Sequence, residues 1–401
     1  MTMNTLSDAF AAQKRTETVL RDTAAQAAPE PSGQASHGRV LAVDLIKAGA
    51  AQIIAWHHFC LFGPMSDAAW WYAPVLFKWL ANYGKLSVQC FLVMGGFMAA
   101  AALLPGGSKP WVAPRLAQWP GIVWRRYKRL AKVYFVGLAA AIVCAIVARM
   151  LIDEPSTPAA PDLYSLVAHL FFAQDLLGVP ALTAGAWYMA IDLQLYALLA
   201  LLCVLAAGVA SGRAARYMAM GLVMCLGLSS LLLFNRDHEL EVWGIYFFGS
   251  YSLGIAAHWV SRLSGLRKRV WLFVMMMVCA TALLVEWRSR IAVTTVTACV
   301  LVWFGAYRTH AKNWLVSLIA YLSRISFPLF VLHYPMLMLV GAIVGANWDD
   351  DPAANMMGLL AAWGLSMAAA TVVAAWLDPV GKRAGKSAFA KWPHTTGLAQ
   401  V

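Results

Sequence analysis

Charge is scarce in this sequence, and acidic charge most of all. Asp, Glu, Lys and Arg make up 12% of its 401 residues, with 19 acidic residues against 31 Lys and Arg. A soluble domain carries about a quarter charged residues, so an ordinary water-facing surface is excluded. Cysteine pairs at metal-ligand spacing are missing. The seven cysteines (Cys60, Cys90, Cys144, Cys203, Cys225, Cys279 and Cys299) all fall in apolar runs without a CxxC, so buried thiols are expected, and neither disulfide nor metal. No compact basic domain or aromatic stacking platform accompanies the net charge of +12, which argues against nucleic acid as a partner. An internal repeat of the kind that marks many transporters is also lacking. Residues 1–38 contain no apolar stretch that could act as a secretory signal.

What is present is hydrophobic: 61% of the chain, with a mean hydropathy of +0.65. Apolar runs recur at 40–62, 84–104, 130–152, 185–209, 217–234, 242–261, 270–287, 290–307, 325–346 and 356–378. Each is near the roughly 20 residues that a helix needs to cross a bilayer. The segment 163–182 is apolar but broken by Asp175, Gly178 and Pro180, and reads as an outer-face or partly re-entrant element. The expected fold is all-α and polytopic, with about ten transmembrane helices. Cations collect in alternate connections, among them Arg125 to Lys132, Arg213 and Arg216, Arg262 to Arg269, and Lys382 to Lys391. Acidic clusters such as Asp153/Glu154 and Asp349 to Asp351 fall in the others. By the positive-inside rule both termini are cytoplasmic. The expected organisation is a disordered cytoplasmic tail over 1–38, a membrane domain over 39–380 and a cytoplasmic tail over 381–401.

The informative residues are the ionisable ones inside apolar runs, where a Lys or Asp costs about 2.5–3.5 kcal/mol on insertion scales. In the first run, Asp44, Lys47 and His58 fall within about 60° of one another on a helical projection, and His57 points elsewhere. Lys47 and His58 lie about 16 Å apart along the axis, the lysine toward the cytoplasm and the histidine in the outer half. Asp44 and Lys47 could simply neutralise each other; alignment over three turns favours chemistry. In RRYKRLAKVY (125–134), Arg126 and Arg129 share a helix face. Such forks suit phosphates, although a basic loop needs no further purpose than topology. In AWYMAIDLQLYALL (186–199), Tyr188, Asp192 and Tyr196 form a stripe at i, i+4, i+8. Asp192 lies deeper than an interfacial aromatic belt requires, in the outer half of its span. In SRISFPLFVLHYPM (323–336), Pro328 and Pro335 interrupt a span that carries His333, a histidine as open to a structural as to a catalytic role.

Taken together, these residues resemble the family-3 membrane acyltransferases, which O-acylate bacterial surface polysaccharides, lipopolysaccharide, periplasmic glucans and some antibiotics. The resemblance covers about 39–378. It rests on Lys47 and His58 with ten residues between them, CFLVMGGFM (90–98) in place of an FFxxSGF-like run, and Arg126 and Arg129 as RxxR. It rests further on Trp187, Asp192 and Tyr196 in a W-x-x-x-x-E-x-x-x-Y-like signature and on ISFPLFVLH (325–333). Asp192 for Glu, Gly95 for Ser and Gln89 for Asp depart from the pattern. The resemblance implies an acyltransferase of the bacterial inner membrane that moves an acetyl or succinyl group from cytoplasmic acyl-CoA to a hydroxyl of an extracytoplasmic glycan or lipid-linked sugar. Arg126, Arg129 and Lys47 would hold the CoA, His58 would act as general base with Lys47 and Asp192 as catalytic partners, and Tyr188, Tyr196, Trp187 and His333 would face substrate. No metal is implied. The fused hydrolase-like domain of some members is not seen, so a periplasmic partner or a homo-oligomer is a further expectation. A proton-coupled transporter or flippase, and a non-catalytic subunit of a polysaccharide-synthesis complex, are the rival readings.

Overall fold

The structure, a computed structural model, describes residues 40–106, 111–311 and 313–377. The tails expected over 1–38 and 381–401 lie outside the described residues. Thirteen α-helices and no strand occur among the described residues: α1 Leu41–Phe59, α2 Met65–Ala69, α3 Pro74–Tyr83, α4 Ser87–Leu103, α5 Trp119–Leu151, α6 Leu163–Leu170, α7 Ala186–Val209, α8 Gly212–Leu232, α9 Gly244–Val260, α10 Gly265–Val285, α11 Ser289–Phe304, α12 Trp314–Trp348 and α13 Pro352–Leu377.

A helix stands at each of the ten apolar runs, but 7 helical stretches are long and apolar enough to cross a membrane. Three helices at expected spans, α1, α9 and α11, do not meet that measure. The shortfall has visible causes. α1 carries Asp44, Lys47, His57 and His58, and α9 and α11 have only 17 and 16 residues. α9 is enclosed by protein: every residue but Ile245 is buried, as expected of a helix that is apolar on all sides. Two helices run longer than their apolar cores. α5 begins at Trp119 and carries the whole basic cluster within it. α12 stays helical through Pro328 and Pro335, so the prolines do not interrupt the span. Pro335 denies the Val331 carbonyl its partner four residues on, and α5 covers that carbonyl at Gly137, where a Cβ would lie 2.0 Å from Val331 Cγ1.

Two helices organise the rest. α12 packs on α1, α5 and α13; α9 packs on α4, α8 and α11. The α4–α9 crossing is backbone on backbone. A Cβ at Gly96 would stand 1.9 Å from the Tyr251 carbonyl oxygen, and one at Gly254 1.8 Å from that of Val93. Small residues at such crossings are what close helix packing in a membrane requires. Between α5 and α7, the broken segment folds as α6 followed by turns that tuck into the core. His169 pins both ends: Nδ1 donates to the Ser165 carbonyl at 2.8 Å and Nε2 accepts from the Leu182 amide at 3.1 Å. Phe172, held at φ 57°, packs edge-on to Tyr134. Phe172, Gln174, Leu182 and Thr183 are the buried side chains of this plug, while Phe171, Leu176 and Leu177 stay exposed. The cysteines are less uniform than expected, with Cys144, Cys203 and Cys279 buried and Cys225 exposed.

Candidate active site

A cavity of about 720 Å³ lies between α1, α4, α5, α7 and α12. Its charge comes mostly from α5: Arg125, Lys128, Arg129 and Lys132 stand at i, i+3, i+4 and i+7, one helical face, and Lys47 of α1 joins them. Asp192 is the one carboxylate among its lining residues. Lys47 is half-buried on the cavity wall, and Asp44 one turn earlier accepts a hydrogen bond from the Ser323 hydroxyl at 2.6 Å. A concave, water-accessible site with this excess of cations attracts a polyanion.

Within the cavity the second arginine of the cluster turns inward. Arg126 Nε donates to Asp192 Oδ2 at 2.9 Å and Nη2 to Oδ1 at 2.7 Å, a bidentate fork. The guanidinium carbon lies 5.1 Å from the centre of the Tyr196 ring, so the pair is stacked as well as hydrogen-bonded. Asp192 is 3% exposed. Two clusters expected at opposite ends of the membrane therefore meet where α5 packs on α7. Tyr251 of α9 completes this centre; its ring is fully buried and its hydroxyl has no partner among the described residues. Gly95 opens the space between them. A Cβ there would lie 3.2 Å from Tyr251 Cε2 and 3.6 Å from Asp192 Oδ1.

At the cavity's end away from Ala102 and Leu377, Phe91, Tyr188 and Phe330 form a collar, with ring centres 5.3 to 6.1 Å apart. One turn along α12 from Phe330 is His333, fully buried. Its Nε2 lies 2.6 Å from His58 Nδ1, and its Nδ1 lies 3.0 Å from the Leu329 carbonyl oxygen. A carbonyl can only accept, so a neutral His333 donates from Nδ1 and accepts at Nε2. His58 then donates from Nδ1 and carries its lone pair on Nε2. The contact of one ring nitrogen thus fixes the tautomer of the second histidine. His57 has a different task, donating from Nδ1 to the Leu80 carbonyl at 2.8 Å and packing on Gly84.

Residues 40–378 match the family model of an acyltransferase domain, acyltransferase family 3. The chain belongs to this family. A family-3 chain is a membrane acyltransferase, and the apolar helices agree with that. The Regulator of hypoxia-inducible factor 1 of Caenorhabditis elegans is 26% identical over 164 residues, which span 40% of this chain and 28% of that protein. No solved structure matches.

In this acyltransferase, Lys47, Arg126, Arg129, Tyr188, Asp192 and Tyr196 line one cavity. His58 and His333 pair beyond the collar, and Trp187 faces a separate cavity on the other side of α4 and α7. The sequence reading passed over Arg125, Lys128 and Lys132, whose helical spacing was a usable signal. It also passed over Tyr251, for which the only hint was a Gly-, Ser- and Tyr-rich run inside an apolar segment. No three His, Cys, Asp or Glu side chains among the described residues are grouped to hold a metal ion.

Proposed function

We propose that the protein is an O-acyltransferase of the bacterial inner membrane that takes an acetyl or succinyl group from cytoplasmic acyl-CoA and transfers it to a hydroxyl of an extracytoplasmic glycan or lipid-linked sugar. The observation that carries this reading is a basic cavity bounded at one end by the rings of Phe91, Tyr188 and Phe330, with an oriented imidazole pair one helical turn behind them. Arg125, Lys128, Arg129 and Lys132 hold the phosphates of CoA. The fork of Arg126 is already occupied by Asp192, so its role is to position that carboxylate rather than to bind phosphate. The narrow pantetheine arm passes Lys47, and the acyl group reaches His58 when the rings of Phe91, Tyr188 and Phe330, in mutual contact here, swing apart. His58 Nε2 takes the proton of the acceptor hydroxyl as the oxygen forms its bond to the thioester carbonyl carbon. The C–S bond then breaks, and the departing thiolate takes the proton back from His58. Lys47 stays on the cavity side of these rings, where its charge holds the donor.

The test is sidedness in sealed, oriented vesicles. Acyl-CoA should support transfer only from the face that carries Arg129. Arg129→Ala and Lys132→Ala should weaken acyl-CoA binding by an amount that shrinks as salt is raised. Equal transfer with acyl-CoA on the other face, or no release of CoA by the purified protein, would overturn the reading. The second result would favour a transporter.

A further inference from the structure

The second cavity, about 380 Å³, lies between α4, α7, the 171–185 plug and the connections to α9 and α11. It is near the lower end of the roughly 300–1,000 Å³ typical of small-molecule sites, room for one sugar ring rather than a nucleotide. It adjoins the chemistry described above without sharing its charge. Along α4, Gln89 faces this cavity and Phe91 the basic one; along α7, Trp187 faces this cavity and Tyr188 the basic one. Trp187 meets Tyr188 of the collar edge-on, with ring centres 6.1 Å apart. On the other flank Lys85 lines the cavity, next in sequence to Gly84, on which His57 packs.

Its polar lining is balanced: Lys85 and Arg290 against Asp175 and Glu241, with the Gln89 carboxamide between. These groups are held in place. Tyr246 donates to Glu241 at 2.6 Å, and Arg290 lies 3.6 Å from the same oxygen. The Ser250 hydroxyl donates to Gln89 Oε1 at 2.8 Å, which leaves the amide NH₂ as the end that an incoming oxygen can meet. Gln174 Nε2 donates to Asp175 Oδ2 at 2.7 Å. Burial would raise the Glu241 carboxyl, but hydrogen bonds from Tyr246 and His238 and the charge of Arg290 bring it below the usual range. Burial does push the Asp175 carboxyl up, its Gln174 bond offsetting this only in part, so Asp175 is the carboxylate that gains most from another donor.

An apolar, planar face beside fixed donors and acceptors with no net charge suits a ligand that is apolar on one side, rich in hydroxyls around its rim and uncharged. We infer that this cavity is the acceptor subsite, binding a neutral glycosyl ring with its C–H face against Trp187 and its hydroxyls on Asp175, Glu241 and Gln89. The inference rests on the acyltransferase reading above. It adds where the acceptor sits and which residues choose it. The glycosyl ring can belong to a finished polymer or to a lipid-linked precursor; the chemistry of recognition is the same.

The test separates the subsite from the reaction. Cells carrying wild type, Trp187→Ala, Trp187→Phe or Asp175→Asn are compared by mass spectrometry of their polymer and lipid-linked glycan fractions, and acyl-CoA binding is measured on each purified protein. Trp187→Ala and Asp175→Asn should each lose at least about tenfold in glycan acylation, a change of ~1.4 kcal/mol, while acyl-CoA affinity stays within twofold. Trp187→Phe should restore most of the loss. The fraction acylated in wild type identifies polymer or precursor as the source. If both variants acylate like wild type, or both lose acyl-CoA binding together with acylation, the subsite is wrong. If wild type itself acylates no glycan, the proposed function fails instead.

Discussion

Replacing His333 by alanine removes the acceptor that holds His58 in one tautomer, and the geometry sets how much that should cost. The two rings lie within 6° of coplanar, with His58 Nδ1 2.6 Å from His333 Nε2. With both rings neutral, the contact is an ordinary buried hydrogen bond, contributing about 0.5–1.5 kcal/mol. When His58 takes the acceptor's proton it becomes an imidazolium, and the same contact becomes charge-assisted, contributing about 1.5–3 kcal/mol. Only the gain between the two states, about 1–1.5 kcal/mol, appears in kcat. His333→Ala should therefore lower kcat by about 5- to 13-fold, less than the ~10²- to 10⁴-fold expected for His58→Ala, which removes the base itself.

The assay is CoA release by purified protein in detergent or nanodiscs with acceptor present, fitted for kcat and for the acyl-CoA KM. Neither histidine lines the basic cavity, so KM should hold in both variants. His333→Gln, which keeps an acceptor, should recover part of the loss. Because His333 acts through His58, the double variant should be no slower than His58→Ala alone. A His333→Ala enzyme within twofold of wild type would refute the orienting role. A loss as large as that of His58→Ala would reverse the assignment and make His333 the base.

Lys47→Arg should keep most of the acyl-CoA affinity, whereas Lys47→Met should weaken it at least about tenfold, as loss of one charge-assisted contact implies; equal KM values for the two would leave Lys47 a structural role only. Asp192→Asn and Arg126→Met should each destabilise the protein, because each strands a charge at a largely buried site, where breaking a pair costs up to about 3–5 kcal/mol. Arg126 keeps 21% of its side chain exposed, so the lower part of that range applies, and the double variant should recover stability in a detergent thermal-shift assay. Gly254→Ala should fail to accumulate as folded protein, since its Cβ would lie 1.8 Å from the Val93 carbonyl oxygen, whereas Gly364→Ala, with nothing within 4 Å, should match wild type in size-exclusion chromatography.

The helical architecture was legible because apolar length is a one-dimensional property. Each expected span has a helix, and the composition of α1 shows why it is less apolar than the others. Enclosure was not legible. Whether α9 faces lipid or other helices depends on partners, and its 17 residues fit the second case. The candidate site divides in the same way. Helical projection separated His57 from His58 correctly, because both lie on one helix whose geometry is known in advance. It could not reveal that His58 of α1 and His333 of α12 touch, since a separation of 275 positions along the chain carries no signal of distance.

Arg126 shows how this limit misleads about chemistry as well as position. As part of RxxR at the mouth of a span, it reads as a phosphate ligand on the cytoplasmic side, while Asp192 reads as an outer-half carboxylate. Both readings assume that a residue's depth follows from its count along its own helix. α5 instead continues well past its apolar core and carries Arg126 alongside α7, so the two side chains meet and close a bidentate pair. A carboxylate in that position would repel a phosphate if left uncompensated. With Arg126 neutralising it, the stripe of Arg125, Lys128, Arg129 and Lys132 keeps its full positive field for the donor. The short Asp192 and the missing side chain at Gly95 then act together: both withdraw bulk from the space beside the Tyr251 ring. Two of the three departures from the family pattern thus fall on one spot of the wall of the basic cavity, while Gln89 lines the second cavity. Acyl-chain length is therefore the property that Gly95→Ser should narrow.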